Sequence, residues 1–197
     1  MSTRFFSFSD DTPFSTEAAL VNASSSHYEE DWPSIPHTHA FTELFYVSEG
    51  SGEFLIENQR FSIKKDDLII VNPHIQHTET SLSASPLSYY TVGVDGISFS
   101  FQDQKEFQIF HCRQKHADLL FYFHSLFQEL DEKNDGYEEI CKHTLAILIA
   151  QLRRFAVSDF QLFPSFHPSK ECAFVKRYLD SHYSDDINLE QLASLSH

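Results

Sequence analysis

The stretch IPHTHAFTELFYVSEGSG, residues 35–52, decides how the rest of the chain is read. His37 and His39 stand two apart, Glu43 follows four residues after His39, and an apolar run leads to Gly50 and Gly52. Such a text either holds a metal and does chemistry, or keeps the shape of an interior. Its surroundings have to choose between the two.

From Ala18 to about Phe101 the surroundings are short strands and turns. The segments ELFYV, EFLIE, RFSIK, LIIVN and YYTVGV are rich in β-branched and aromatic residues, and GSG, NQ, KKDD, NPH and SASP separate them. Many short strands at close spacing predict a sandwich or a barrel, closed so that no edge is left exposed. Residues 1–17 mix Phe5, Phe6 and Phe8 with Ser, Thr and Asp, without a period, and read as an N-terminal arm.

At about residue 113 the period changes. In KHADLLFYFHSLFQELDEK, Leu119, Phe123, Leu126, Phe127 and Leu130 fall on one helical face. After the turn at Asn134, Asp135 and Gly136, a second helix carries the stripe Cys141, Leu145, Leu148 and Leu152, widened by Ile140 and Ile147. Glu138 and Glu139 in its first turn and Arg153 and Arg154 in its last suit the helix dipole. An apolar face this wide predicts an antiparallel two-helix hairpin over 113–155 that packs on the β domain and also forms a homodimer interface through Cys141, Leu145, Leu148 and Leu152. Residues 156–170 contain two prolines and read as a linker. Beyond it, Phe174, Val175, Tyr178, Leu179 and His182 share a helical face, and Asn188 with Gln191 forms a capping box for a second helix.

The chain has 197 residues, 41% of them apolar and 20 of them Phe, enough for one substantial domain or one plus the start of another. The absence of a long apolar run or a leading basic-apolar segment predicts a cytoplasmic protein without a membrane span. Cys112, Cys141 and Cys172 are far apart and odd in number, which speaks against a disulfide framework and for buried, reduced thiols. With 14 basic residues against 29 acids, and a net charge of −15, the chain by itself is a poor match for nucleic-acid phosphates.

The pattern His37-x-His39-x3-Glu43-x6-Gly50 resembles the first motif of the cupin barrels, and Pro73-His74-Ile75-Gln76-His77 is similar to the end of their second. Residues i and i+2 of a strand share a face, so His37 and His39 converge, and Glu43 and His77 can complete a set of N and O donors suited to a divalent transition metal. Two departures stand out: Asp66 occupies the place where a glycine usually opens the second motif, and no glycine lies between Pro73 and His77.

Residues 18 to 197 as a whole resemble the AraC family of bacterial transcription regulators, most specifically in YLDSHYSDDINLEQLA. The resemblance implies a mainly β fold with α: a jelly-roll-like cupin barrel at 18–112 that binds an effector, the hairpin at 113–155 that dimerises, the linker at 156–170, and the start of a helix-turn-helix DNA-binding domain at 171–197. Its recognition helix is expected just beyond His197, so operator DNA would be bound only through that further part. The effector would be a small molecule, a sugar among the candidates, held by His37, His39, Glu43, Phe45, Phe54 or Leu55, and His77, with Phe5, Phe6 or Phe8 as a cap. No cofactor is required on this reading, and a divalent metal on His37, His39, Glu43 and His77 is an option. The alternative is a cupin metalloenzyme, an oxygenase or isomerase, using those four ligands. It leaves residues 171–197 without a role, so a non-enzymatic regulator is preferred.

Overall fold

The strand-turn text folds into antiparallel sheets whose central element is β2, Thr42–Glu49, the run that begins at Thr42 of the opening stretch. In the computed structural model, residues 18–28, 34–82, 84–101, 105–111, 116–155 and 160–164 are described, together with Asn188 and Leu192. The chain divides into two units, Met1–Pro164 and Ser165–His197. The expected arm at 1–17 and almost all of 171–197 lie outside the described residues. Within the second unit, Leu192 N donates to Asn188 O at 3.2 Å, one helical turn at the expected capping box.

The larger sheet runs β1 (Ala19–His27), β7 (Ser88–Asp95), β2, β5 (Asp67–Val71) and β9 (Phe107–His111). The smaller has β4 (Gln59–Lys64), β3 (Ser51–Ile56) and β6 (His77–Ser81), and a third pairs β8 (Ile97–Phe101) with β10 (Phe160–Pro164). The cupin expectation holds for the fold, with one refinement: the sheets are antiparallel but not closed into a barrel. Chain direction switches sheets at Gly50, whose φ of +79° and near contact with the Pro86 carbonyl leave no room for a side chain.

β2 is buried on both faces, which is why it reads as an unbroken apolar run rather than an alternation. Phe45 and Val47 meet Phe54, Ile56 and Ile63 of the smaller sheet. Leu44 and Tyr46 face the other way, into a cluster with Leu68, Val92 and the two helices. Those helices are α1 (His116–Glu132) and α2 (Tyr137–Phe155), the expected hairpin. Phe123 stacks on Tyr46 with ring centroids 5.1 Å apart, seating α1 on the sheet. No helix among the described residues is long and apolar enough to cross a membrane.

Two expectations change. Cys141, Leu145, Leu148 and Leu152 are 0–2% exposed and belong to the same cluster as the sheet, so they face their own chain rather than a partner. Cys141 Sγ also points at the Leu126 carbonyl of α1, 3.8 Å away. Among the described residues, the large apolar side chains left outside on the hairpin are Phe121, Ile140 and Ile147. The deepest stripe of an amphipathic helix goes to the nearest apolar surface, here the sheet beneath it. In addition, residues 160–164 of the expected linker form β10, with Pro164 opposite Ile97. Proline is tolerated there because it ends an edge strand.

Candidate functional site

The opening stretch and the PHIQH segment are zipped together by backbone. His37 N and O exchange hydrogen bonds with His77 O and N at 3.0 Å, and His74 N donates to His39 O at 2.7 Å. This lays the rings of His37, His39 and His77 side by side, with centroids 4.7 to 5.4 Å apart. Their candidate ligand atoms all lie within 4.8 Å of one another. Glu43 reaches in from β2, with Oε2 3.3 Å from His39 Nε2 and Oε1 3.3 Å from His77 Nε2. All four residues expected as metal or effector ligands are thus brought together.

Ring orientation is set from behind. Nδ1 of His37 lies 3.0 Å from the Ile35 carbonyl, and Nδ1 of His77 lies 2.8 Å from that of Ile75. A carbonyl only accepts, so each Nδ1 carries the proton, and in a neutral ring Nε2 is left with its lone pair toward the cluster. His39 is steadied differently, stacked on Phe41 at 4.7 Å with the planes 10° apart.

Burial alone would raise the Glu43 carboxyl. The close approach of the His39 and His77 imidazoles outweighs it and brings the value down to about 2. Burial pulls His77 down, but Glu43 outweighs it, and the imidazole is raised above 6.5. His77 Nε2 is buried and has no aligned hydrogen bond. Its 3.3 Å approach to Glu43 is therefore an ion-pair distance without hydrogen-bond geometry. A bare lone pair facing a carboxylate is repulsive unless a proton, a ligand hydroxyl or a cation stands between them. Three imidazole nitrogens and one carboxylate also fit a divalent transition metal, for which His37, His39, His77 and Glu43 would be the ligands.

The region of the second cupin motif contains two residues with left-handed backbone. Asp66 has φ +71° and His74 φ +69°, the left-handed conformation that a glycine takes without strain. Asp and His are among the side chains that tolerate it. Asp66 is also held by Tyr46, whose hydroxyl donates to Oδ1 at 3.2 Å.

Beneath the cluster the interior is filled. Phe45 stacks on Tyr89 at 4.3 Å and meets Phe54 edge-on at 4.9 Å, and Phe54 lies under His77 at 5.8 Å. Of the alternatives Phe54 and Leu55, Phe54 points inward and Leu55 is half-buried on the opposite face of β3. Phe5, Phe6 and Phe8 lie outside the described residues. Two further interior polar residues, Glu79 and Tyr89, were not expected, and the Tyr89 hydroxyl donates to Glu79 Oε1 at 2.5 Å. Burial, then the Glu79 charge, raises the Tyr89 phenol well above 10.0. Glu79 had a signal in the sequence, since it stands two residues after His77 on the same strand and so on the same face. A separate open cleft of about 400 Å³ lies against α1 between Tyr90, His124 and Phe127. Its rim residues Asp131 and Glu132 are exposed, so the buried polar chemistry stays with the His cluster.

Comparison with known proteins agrees with this architecture. The family described as the AraC-like ligand binding domain matches residues 24–148. No curated protein matches the sequence. Among solved structures, an apo variant of ToxT from Vibrio cholerae superposes with a TM-score of 0.53 at 9% identity, covering 87% of this chain and 68% of that one. ToxT from Vibrio cholerae bound to a methylnaphthyl butenoic acid gives 0.50 at 9% identity, covering 88% of this chain and 70% of its own. A cupin protein from Bacteroides fragilis, 18% identical, covers 44% of this chain and 86% of its own with a TM-score of 0.34. Matched over more than half its length by that family, and folded as sheets plus hairpin in the expected order, the chain belongs to the AraC-like ligand binding domain family.

Proposed function

We propose that this chain is the sensing and dimerising portion of a cytoplasmic AraC-type transcription regulator, not an enzyme, and that its small-molecule effector engages His37, His39, Glu43 and His77. The DNA-binding function belongs to a helix-turn-helix region that residues 171–197 begin, and operator DNA is a partner of that region alone. The observation that carries the reading is His77 Nε2, buried, without an aligned hydrogen bond and opposite the Glu43 carboxylate. Both are acceptors when His77 is neutral, so they call for donors, as the hydroxyls of a sugar or related metabolite supply. ToxT, similar in fold, is solved with an organic acid bound, which supports a small-molecule effector for this chain. A divalent metal held by the four residues would supply a Lewis acid that recognises an oxygen donor.

Homodimerisation is expected through Phe121, Ile140 and Ile147, the apolar residues of the hairpin that its own chain leaves exposed. Thermal-shift screening of metal-free protein against hydroxylated metabolites tests effector binding. A stabilising hit that is lost in His39→Ala and Glu43→Ala, with both variants still folded, is the expected result. Stoichiometric iron with substrate-dependent oxygen uptake would replace this reading with the metalloenzyme.

A further inference from the structure

β8 carries hydrogen-bonded partners on both of its edges, and those partners belong to different parts of the protein. On one edge Thr42 Oγ1 donates to Ile97 O at 2.8 Å. On the same edge the Asn72 side chain brackets Phe99, with Nδ2 donating to its carbonyl at 2.6 Å and Oδ1 accepting from its N–H at 2.9 Å. Thr42 and Asn72 are 0% and 5% exposed. Backbone groups along a strand alternate between its two edges. With Ile97 and Phe99 turned toward Thr42 and Asn72, Ser98 and Ser100 turn toward their register partners on β10, Phe163 and Gln161.

Both clamps adjoin the site. Thr42 immediately precedes Glu43, and Asn72 opens the segment 72–77 that ends at His77 and includes His74, tied to His39. Glu43 and Val71, the neighbours of the two clamps, face each other in the β2–β5 register. β10 ends at Pro164, the last residue of the first unit. Among the described residues it pairs with β8 alone, as an outer strand whose Gln161 and Phe163 are exposed.

Resting on the proposed recognition role of the His cluster, we infer that the occupancy of His37, His39, Glu43 and His77 sets the docking of β10, through Thr42 and Asn72 acting on β8. Ligand contacts that shift Glu43 or His77 shift the clamp next to each. A displaced β8 changes how well its far edge receives β10. Release of the five residues of β10 adds roughly 17 Å of reach to the chain that enters the second unit. Thr42 and Asn72 are positioning residues, since neither belongs to the ligand set.

Hydrogen exchange on the 197-residue chain, resolved within residues 160–163 to the amides of Gln161 and Phe163 that turn toward β8, tests this directly. In the metal-free chain, Thr42→Val should speed exchange at 160–163 about ten-fold, the size of effect expected when a local unit loses one buried hydrogen bond, and Asn72→Ala, which removes two to Phe99 and one to Glu106, by at least as much, while β3 stays unchanged. Thr42→Ser should restore the wild-type rate. Glu43→Gln, which alters the site without touching β8, should also change the rate at 160–163. Adding Co²⁺, with binding read separately from its visible absorption, should change exchange at 160–163 and 97–101 together. Unchanged exchange at 160–163 in all three variants overturns the control of β10 docking, whatever the site binds. Co²⁺ binding without a response at β10 overturns the coupling and leaves the recognition reading intact. Failure to bind Co²⁺ counts only against metal recognition at the cluster, since the metal-free variants decide the docking of β10.

Discussion

His77 and Glu43 face each other at 3.3 Å although they come from different sheets, His77 from β6 of the smaller and Glu43 from β2 of the larger. The pair therefore fastens the two sheets at the end of the sandwich where the His cluster sits. Its chemistry sets a pH window.

Glu43 is depressed from 4.5 to about 2, so the stability it contributes is fully present above pH 4.5 and is lost as the pH falls through the depressed value. His77 is raised above 6.5, so its contribution is fully present below pH 6.5 and is lost as the pH rises through the raised value. Both contributions coexist between these limits. Urea denaturation of metal-free wild type and Glu43→Gln should differ most between pH 4.5 and 6.5, with the gap narrowing on either side. A gap that stays constant from acid to alkaline pH would show that the pair carries no linkage.

Gly93 is where a single methyl group reaches the site without touching a ligand. A Cβ there would sit 2.2 Å from Asn22 Oδ1 and 2.7 Å from the Phe41 ring. Phe41 supports His39 by stacking, so the displaced ring carries His39 with it. Gly93→Ala is expected to cost about 1–3 kcal/mol in stability from overpacking, and to weaken effector or Co²⁺ binding further than that loss of fold explains. Titration calorimetry on the folded fraction checks it, and unaltered affinity would mean that the stack does not orient His39.

The hairpin offers a contrast between neighbouring positions on α2. Leu148 is fully buried, and Leu148→Ala should cost about 2–5 kcal/mol by leaving a cavity against the sheet. Ile147 is 44% exposed, and Ile147→Glu should change monomer stability by less than about 1 kcal/mol while abolishing self-association. Light scattering alongside thermal melts separates the two outcomes. Dimers that persist in Ile140→Glu/Ile147→Glu would move the interface elsewhere.

Part of the site was legible because it depends on short-range rules. His37 and His39, two apart, share a side of a short extended segment, but the bend at Ala40 and Phe41 is what folds Glu43 back to within 3.3 Å of His39, and His77 arrives by pairing with His37. Sheet membership was not legible. Hydropathy shows that β2 and β3 are strands, but not that Gly50 sends them to different sheets. In the second motif the sequence shows that glycines are missing, but not that Asp66 and His74 take left-handed φ values of +71° and +69° in their stead. β10 was hidden by its proline and its shortness, since an edge strand paired with one neighbour needs little alternation. The apolar stripe of α2 was read correctly as buried, but periodicity cannot say which neighbour buries it.

The thiol of Cys141 turns the α1–α2 contact into a clock. It is buried against the Leu126 carbonyl, and burial, then the nearby Glu129 and Glu138, pushes it above 9.0. Only the thiolate attacks an alkylating reagent, so Cys141 reacts when the helices part and not before. Its labelling rate, followed by peptide mass spectrometry, therefore reports how often the hairpin opens. Any molecule that tightens the first unit should lengthen that interval, whether or not its own binding site is known.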